Sequence, residues 1–266
     1  MRNFYKDKVV VVTGSSSGIG REIVEQLANY GAKIVLCARN QEAMQEHVRR
    51  MNLADENYLI LALDFSQAID FNAVREKILS KFNQIDILIN NAGIAQKSLV
   101  QETNEEVERR IMEVNYFANI NFTKALLPHF IDRKKGQIVG ISSILGEIGL
   151  PFVGPYCASK HALNGYYNSM RYDLEKLGVE VAIVSPGFIK TEITKKSLTG
   201  SGEIHDKDSL AQEKGMSAKD CAQGILKNIS KKKRQSYVGG LETLMPKFAF
   251  LFPRLFHFLM RKLHKI

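Results

Sequence analysis

Short apolar runs alternate with longer amphipathic stretches along almost the whole chain. Residues 8–13, Lys-Val-Val-Val-Val-Thr, form a β-branched run of the kind buried on both faces of a parallel sheet. In 19–30, Ile23, Leu27 and Tyr30 recur at helical spacing, and Gly31 supplies the stop. The same alternation predicts strands at 33–38, 58–63, 85–90, 137–141, 179–185 and 236–238. Between them it predicts helices at 41–51, 68–82, 104–133, 156–177 and 218–230. Pro128 lies inside the 104–133 stretch, so a kink or break is expected there. Gly178 closes the helix before the sixth strand. Regular β-α-β alternation with no repeat and no linker predicts one α/β domain: a doubly wound parallel sheet of about seven strands, with helices on both faces.

Composition narrows this little, but charge placement adds a second feature. At 266 residues, 45% hydrophobic and 24% charged, the chain has ample material for a core. The net charge of +9 is uneven: residues 231–266 hold nine Lys/Arg against one acid, Glu242, so the first 230 residues stand at +1. A nearly neutral body argues against nucleic acid as partner. Cys37, Cys157 and Cys221 are odd in number and far apart, and the six histidines lack metal-ligand spacing. Neither a disulfide framework nor a metal site is expected, and a reducing cytoplasm is the expected location. Residues 1–8 are short and polar, unlike a secretory leader.

Three places carry candidate chemistry. Thr13-Gly14-Ser15-Ser16-Ser17-Gly18-Ile19-Gly20 joins the first strand to the first helix. Gly14 permits a tight turn there, and Gly18 and Gly20 allow backbone to approach a pyrophosphate at a helix N-terminus. The second strand ends Cys37-Ala38-Arg39-Asn40, with no acid to hold a ribose 2′-hydroxyl. Arg39 suits a 2′-phosphate, with Ser16 as an added donor, so NADP is favoured over NAD. Asp64 at the third strand end suits an adenine contact or a helix N-cap, and Asn91-Ala92-Gly93 ends the fourth strand. Ser143 precedes Tyr156 by thirteen residues, and Lys160 stands one helical turn beyond the tyrosine. Positions i and i+4 share a helix face, so an ammonium there would favour the phenolate and lower the tyrosine pKa. Ser143 could hydrogen-bond a carbonyl oxygen while the tyrosine passes it a proton.

Together these residues resemble the short-chain dehydrogenase/reductase superfamily, over residues 8 to about 240. The resemblance rests on the glycine loop, Asn91-Ala92-Gly93, Asn115, Ser143, Tyr156, Lys160, and Pro186-Gly187 through Thr191, in the family's order and spacing. It implies a Rossmann-type domain with Tyr156 as general acid/base and Ser143 bonding the substrate carbonyl. It also implies that Lys160 holds the nicotinamide ribose, Asn115 anchors a relay water, and Pro186, Gly187 and Thr191 meet the nicotinamide end. A homodimer or homotetramer is implied as well. The runs at 149–152, 156–162 and 185–191 are similar to reductases of the lipid and steroid type, nearest the acyl/alkyl-dihydroxyacetone-phosphate reductase-like members.

The expected activity is NADPH-dependent hydride transfer between the nicotinamide and a ketone or secondary alcohol, with a lipophilic substrate. The alternative is a catalytically idle NADP-binding regulator at a membrane. Residues 1–240 form the catalytic domain, with a polar substrate lid at 188–215 and a mobile point at Gly200-Ser201-Gly202. Lys190, Lys195 and Lys196 would either attract an anionic head group or be solvated. The basic, amphipathic extension at 241–266 carries Leu255, Leu259 and Leu263 on one helical stripe, rimmed by Arg261, Lys262 and Lys265. A peripheral membrane contact through 244–266, a helix over the substrate cleft and a subunit contact all fit that pattern. Pro246, Lys247, Pro253 and Arg254 argue against a transmembrane span.

Overall fold

The computed structural model describes residues 1–206 and 213–264. Its strands are β1 (Val9–Thr13), β2 (Lys33–Ala38), β3 (Tyr58–Ala62), β4 (Ile87–Asn90) and β5 (Gly136–Ile141). They continue with β6 (Val179–Pro186), β7 (Ile189–Lys190), β8 (Met216–Ser217) and β9 (Gln235–Val238). Seven of them make one parallel sheet, ordered β3-β2-β1-β4-β5-β6-β9, while β7 and β8 pair separately. The helices are α1 (Arg2–Tyr5), α2 (Gly18–Asn29), α3 (Gln41–Arg50), α4 (Phe71–Phe82) and α5 (Glu105–Met112). After these come α6 (Ala118–Asp132), α7 (Gly154–Glu175), α8 (Ala218–Ser230), α9 (Met245–Leu251) and α10 (Pro253–His264).

The β1 sequence explains the layering. Alternate side chains leave a strand on opposite faces, and every residue of β1 is buried. Val9 and Val11 join the core formed with Phe71 and Ile78 of α4, Phe122 of α6 and Tyr167 of α7. Val10 and Val12 join the other core, with Ile23 of α2, Met44 of α3 and Ile225 of α8. The doubly wound expectation is met, because one apolar run serves two layers.

Two local expectations change. The fourth helix begins at Phe71 rather than 68, because the Asp70 carboxylate accepts the amides of Asn72 and Ala73 at 3.0 and 3.1 Å. Helix α6 runs through Pro128, and the long helical region is interrupted instead by a π-helical turn at Glu113–Phe117. Arg75 Nη1 donates to the Ala125 carbonyl at 2.9 Å, one turn ahead of the proline. A carbonyl in the turn loosened by the imino acid thus gains an outside donor. Periodicity also passed over α1, too short for a helical period; its buried Tyr5 hydroxyl donates to the Leu226 carbonyl at 2.7 Å.

Candidate active site

The strand order reverses between β1 and β4, which opens a crevice at their carboxyl ends. The glycine loop lies in it. Gly14 and Gly18 adopt φ of +65° and +53°, a left-handed region costly for other residues. A Cβ on Gly20 would stand 2.2 Å from the Gly14 carbonyl oxygen. Helix α2 is entered from Ser17, its N-cap, in extended backbone without a side-chain cap, and has no acid in its first turn. Its first amides are therefore directed at the crevice as anion donors. Ile19, half-buried, packs against the core on the α2 side, and Ser16 is half-buried in the turn.

Asn91 does something its position in the motif did not reveal. Its Nδ2 donates to the carbonyls of Thr13 at 2.9 Å and Gly14 at 3.3 Å. Thr13 Oγ1 in return accepts the amides of Asn91 at 2.9 Å and Ala92 at 2.8 Å. Asn91 thus shapes the glycine loop, with Thr13 as an unforeseen partner. Arg39 is exposed just beyond β2. Asp64 Oδ1 accepts both the amide and the hydroxyl of Ser66, at 3.0 and 2.7 Å, so it closes a local turn rather than capping α4. Burial would raise the Asp64 carboxyl, but the Ser66 bonds and the charge of Arg39 hold it below its usual range.

Ser143, Tyr156 and Lys160 meet at the mouth of this crevice. Ser143 follows β5 and opens a tight turn at Ile144–Gly146, where its Oγ accepts the Leu145 amide at 3.1 Å. Pro155, in the first turn of α7, helps present Tyr156, whose phenol is hydrogen-bonded to Ser143. Lys160 is 4% exposed, with Nζ 3.0 Å from the Ile141 carbonyl and 5.8 Å from the Tyr156 ring centre. Burial pushes the phenol up to about 12, against the downward pull of the Ser143 bond, and brings the ammonium down to about 8. The net shift of the tyrosine is therefore upward rather than downward: desolvation outweighs the favourable charge of an ammonium 5.8 Å from the ring centre.

Asn115 sits inside the π-helical turn, a distortion that recurs at functional sites. Its Oδ1 accepts the Ile94 amide at 2.8 Å, and Nδ2 donates to the Ile94 carbonyl and to Ser159 Oγ at 2.9 and 3.0 Å. Ser159 Oγ donates on to the Tyr156 carbonyl at 2.8 Å. A Cβ on Gly93 would lie 3.3 Å from Asn115 Oδ1 and 3.5 Å from Lys160 Nζ. Asn115 and Lys160 therefore approach the same backbone point.

Across the crevice, the Gly187 amide continues the β6–β9 pairing by donating to Val238 at 2.9 Å. Thr191 Cγ2 lies 3.4 Å from where a Gly18 Cβ would be, so the segment after β6 faces the glycine loop. Glu242, the tail's one acid, accepts the amides of Phe188 at 3.0 Å and Gly240 at 2.9 Å. No motif pointed to it. Lid expectations at 207–212 lie outside the described residues. Gly200 is closely packed: its carbonyl accepts the Asn104 amide at 2.9 Å, and a Cβ would lie 2.0 Å from the Glu102 carbonyl oxygen. Lys195 and Lys196 pair with Asp206 and Glu192, which favours the solvated reading of those cations.

The short chain dehydrogenase family pattern matches residues 8–201. Dehydrogenase/reductase SDR family member 7B of Mus musculus is 37% identical over 235 residues, covering 87% of this chain and 73% of its own. Human dehydrogenase/reductase SDR family member 7 is 42% identical over 199 residues, 73% of this chain and 59% of its own. In fold, the chain resembles a Burkholderia phymatum short chain dehydrogenase/reductase in complex with NAD, with a TM-score of 0.79 at 23% identity, over 93% of this chain and 91% of that one. It also resembles a metagenomic short-chain oxidoreductase in complex with NADP, with a TM-score of 0.73 at 25% identity, over 88% and 98%. Motif order, strand order and sequence kinship agree, and the chain belongs to the short-chain dehydrogenase/reductase family.

Proposed function

We propose that the protein is an NADPH-dependent carbonyl reductase acting on a lipophilic ketone, with Tyr156 as its proton donor. The observation that carries this reading is the convergence of Ser143, Tyr156 and buried Lys160 beside the glycine-loop crevice. The crevice suits a dinucleotide: α2 offers uncapped amides, and Gly20 lets the first turn of α2 pack directly on the Gly14 carbonyl, which holds the loop in its tight turn. When bound, the nicotinamide supplies hydride to the carbonyl carbon. Ser143 Oγ donates to the substrate oxygen, and Tyr156 transfers its phenolic proton to that oxygen. With a pKa raised to about 12, Tyr156 keeps its proton at neutral pH, the state that reduction requires. Lys160, lowered to about 8, stays mostly protonated at neutral pH and offsets the phenolate charge as it forms. Asn115 acts by position, holding Ile94 and, through Ser159, the first turn of α7.

Preference for NADPH follows from Arg39 and from the lack of an acid at the end of β2. The half-buried apolar run at 150–153, between Ser143 and Tyr156, supports a lipophilic substrate. Exposed Phe117 and Tyr172, from the α5–α6 and α7 segments, support a homo-oligomer.

The test is NADPH oxidation by the purified full chain over keto-lipids, ketosteroids and small ketones. Tyr156→Phe is expected to lower turnover by about 10²-fold or more while leaving NADPH binding intact. Unchanged turnover would remove Tyr156 from the mechanism. Arg39→Ala is expected to cost about tenfold or more in kcat/KM with NADPH and little with NADH. An unchanged cofactor ratio would take the 2′-phosphate role from Arg39.

A further inference from the structure

The C-terminal segment leaves much of its apolar surface uncovered. Helices α9 and α10 meet at Phe252, where Phe248 packs against Phe252 and Phe256 with ring centres 5.6 and 6.3 Å apart. Around this small aromatic nucleus, Phe250 is 85%, Phe258 60% and Leu263 70% exposed. Leu251, Phe252 and Leu255 are exposed as well, and the surface continues through Leu241 and Leu244 in the turn before α9. The stripe expected from sequence is divided: Leu255 and Leu263 face solvent, while Leu259 is half-buried with Phe256 and Met260. Lys247, Arg254, Arg261 and Lys262 stand among these residues and are exposed. Glu242, the tail's one carboxylate, is engaged by the Phe188 and Gly240 amides.

We propose that residues 241–264 dock the protein on an anionic lipid surface, with the exposed phenylalanines and leucines in the headgroup layer and the cations on lipid phosphates and carboxylates. Charge complementarity selects this occupant. A second copy meeting it through the same face would bring four cations against four cations, with no free carboxylate among the described residues of the segment. A helix closed over the substrate cleft would not leave Phe250 and Phe258 this exposed. No described helix is long and apolar enough to cross a membrane, so the segment lies along the surface. The Glu242–Phe188 bond ties the start of this surface to the head of the substrate lid, so the docked face adjoins the cleft mouth. The inference goes beyond the reductase reading and does not depend on it.

The test is co-sedimentation of the full chain with phosphatidylcholine vesicles, with and without phosphatidylserine, at low and raised salt. Wild-type protein is expected to sediment with the anionic vesicles, and about tenfold or more less with the neutral ones. Two double variants, Phe250→Ser with Phe258→Ser and Arg254→Glu with Arg261→Glu, should each reduce anionic binding by about tenfold or more. Lys231→Glu with Lys233→Glu changes the net charge equally at an exposed corner outside the patch, and should retain binding. Circular dichroism checks that each variant is folded. Wild type that ignores phosphatidylserine, a corner variant as impaired as the patch variants, or patch variants that bind unchanged would overturn the proposal. So would self-association without lipid that Phe250→Ser abolishes, which would assign the face to a second copy. NADPH oxidation without lipid is measured in parallel, so failure of docking and failure of the reductase reading are distinguishable.

Discussion

Lys160 is an ammonium in the protein interior, with the Ile141 carbonyl 3.0 Å from Nζ. Desolvation lowers it from 10.5 to about 8, so the folded chain binds its proton less tightly than the unfolded chain does. The cost to folding is complete below pH 8 and is relieved as pH rises toward 10.5. By linkage it is on the order of 3 kcal/mol. Lys160→Met should therefore be more stable than wild type at pH 7, and that advantage should shrink between pH 8 and 10.5. Parallel thermal melts across this range check it, and a constant difference would show that Lys160 is not desolvated. Under the proposed mechanism the same substitution should lower turnover, because the group that weakens the fold is the one assigned there to offset the phenolate charge. Ser143, Tyr156 and Lys160 were legible at this scale because a thirteen-residue offset and an i,i+4 pair are countable along the chain. The direction of the Tyr156 shift was not legible. It depends on burial by residues distant in sequence, which raises the phenol to about 12.

At the scale of elements, the π-helical turn at Glu113–Phe117 decides where Asn115 points. A wider turn leaves carbonyls without their usual α-helical partners. Asn119 supplies them: its Nδ2 lies 3.0 Å from the Val114 carbonyl, 2.9 Å from that of Asn115 and 3.3 Å from that of Ala92. Asn90 and Thr123 extend this buried network to Tyr167. Asn119→Ala would strand buried carbonyls, costing about 1–3 kcal/mol. It should also lower kcat more than it changes cofactor affinity, since the turn carries Asn115. Denaturant melts with steady-state kinetics check this; full kcat with lowered stability would assign Asn119 a purely structural part. Periodicity over 104–133 foresaw a helix and placed its interruption at Pro128. A π-turn has no residue signature comparable to proline, so its position emerged only with the hydrogen bonds that stabilise it.

At the scale of the molecule, the nearly neutral body and the cationic tail were both visible in the order of residues. The run at 231–234 is an exposed corner, with Lys232 and Arg234 paired to Glu180 and Glu175. The charge that remains beside exposed apolar surface belongs to α9 and α10. By itself the sequence determined the seven main strands, the helices between them, the glycine loop and the Ser-Tyr-Lys set. Each of these is written in spacing along a short stretch of chain, where period and propensity act. The tertiary structure alone decided the strand order, the use of Asn91 on Thr13 and Gly14, and the support of Asn115 by Ile94 and Ser159. It also decided the Glu242 tie to Phe188 and which side of the tail stays uncovered. Those features join residues far apart in the chain, and only the path of the folded backbone brings their donors and acceptors within reach.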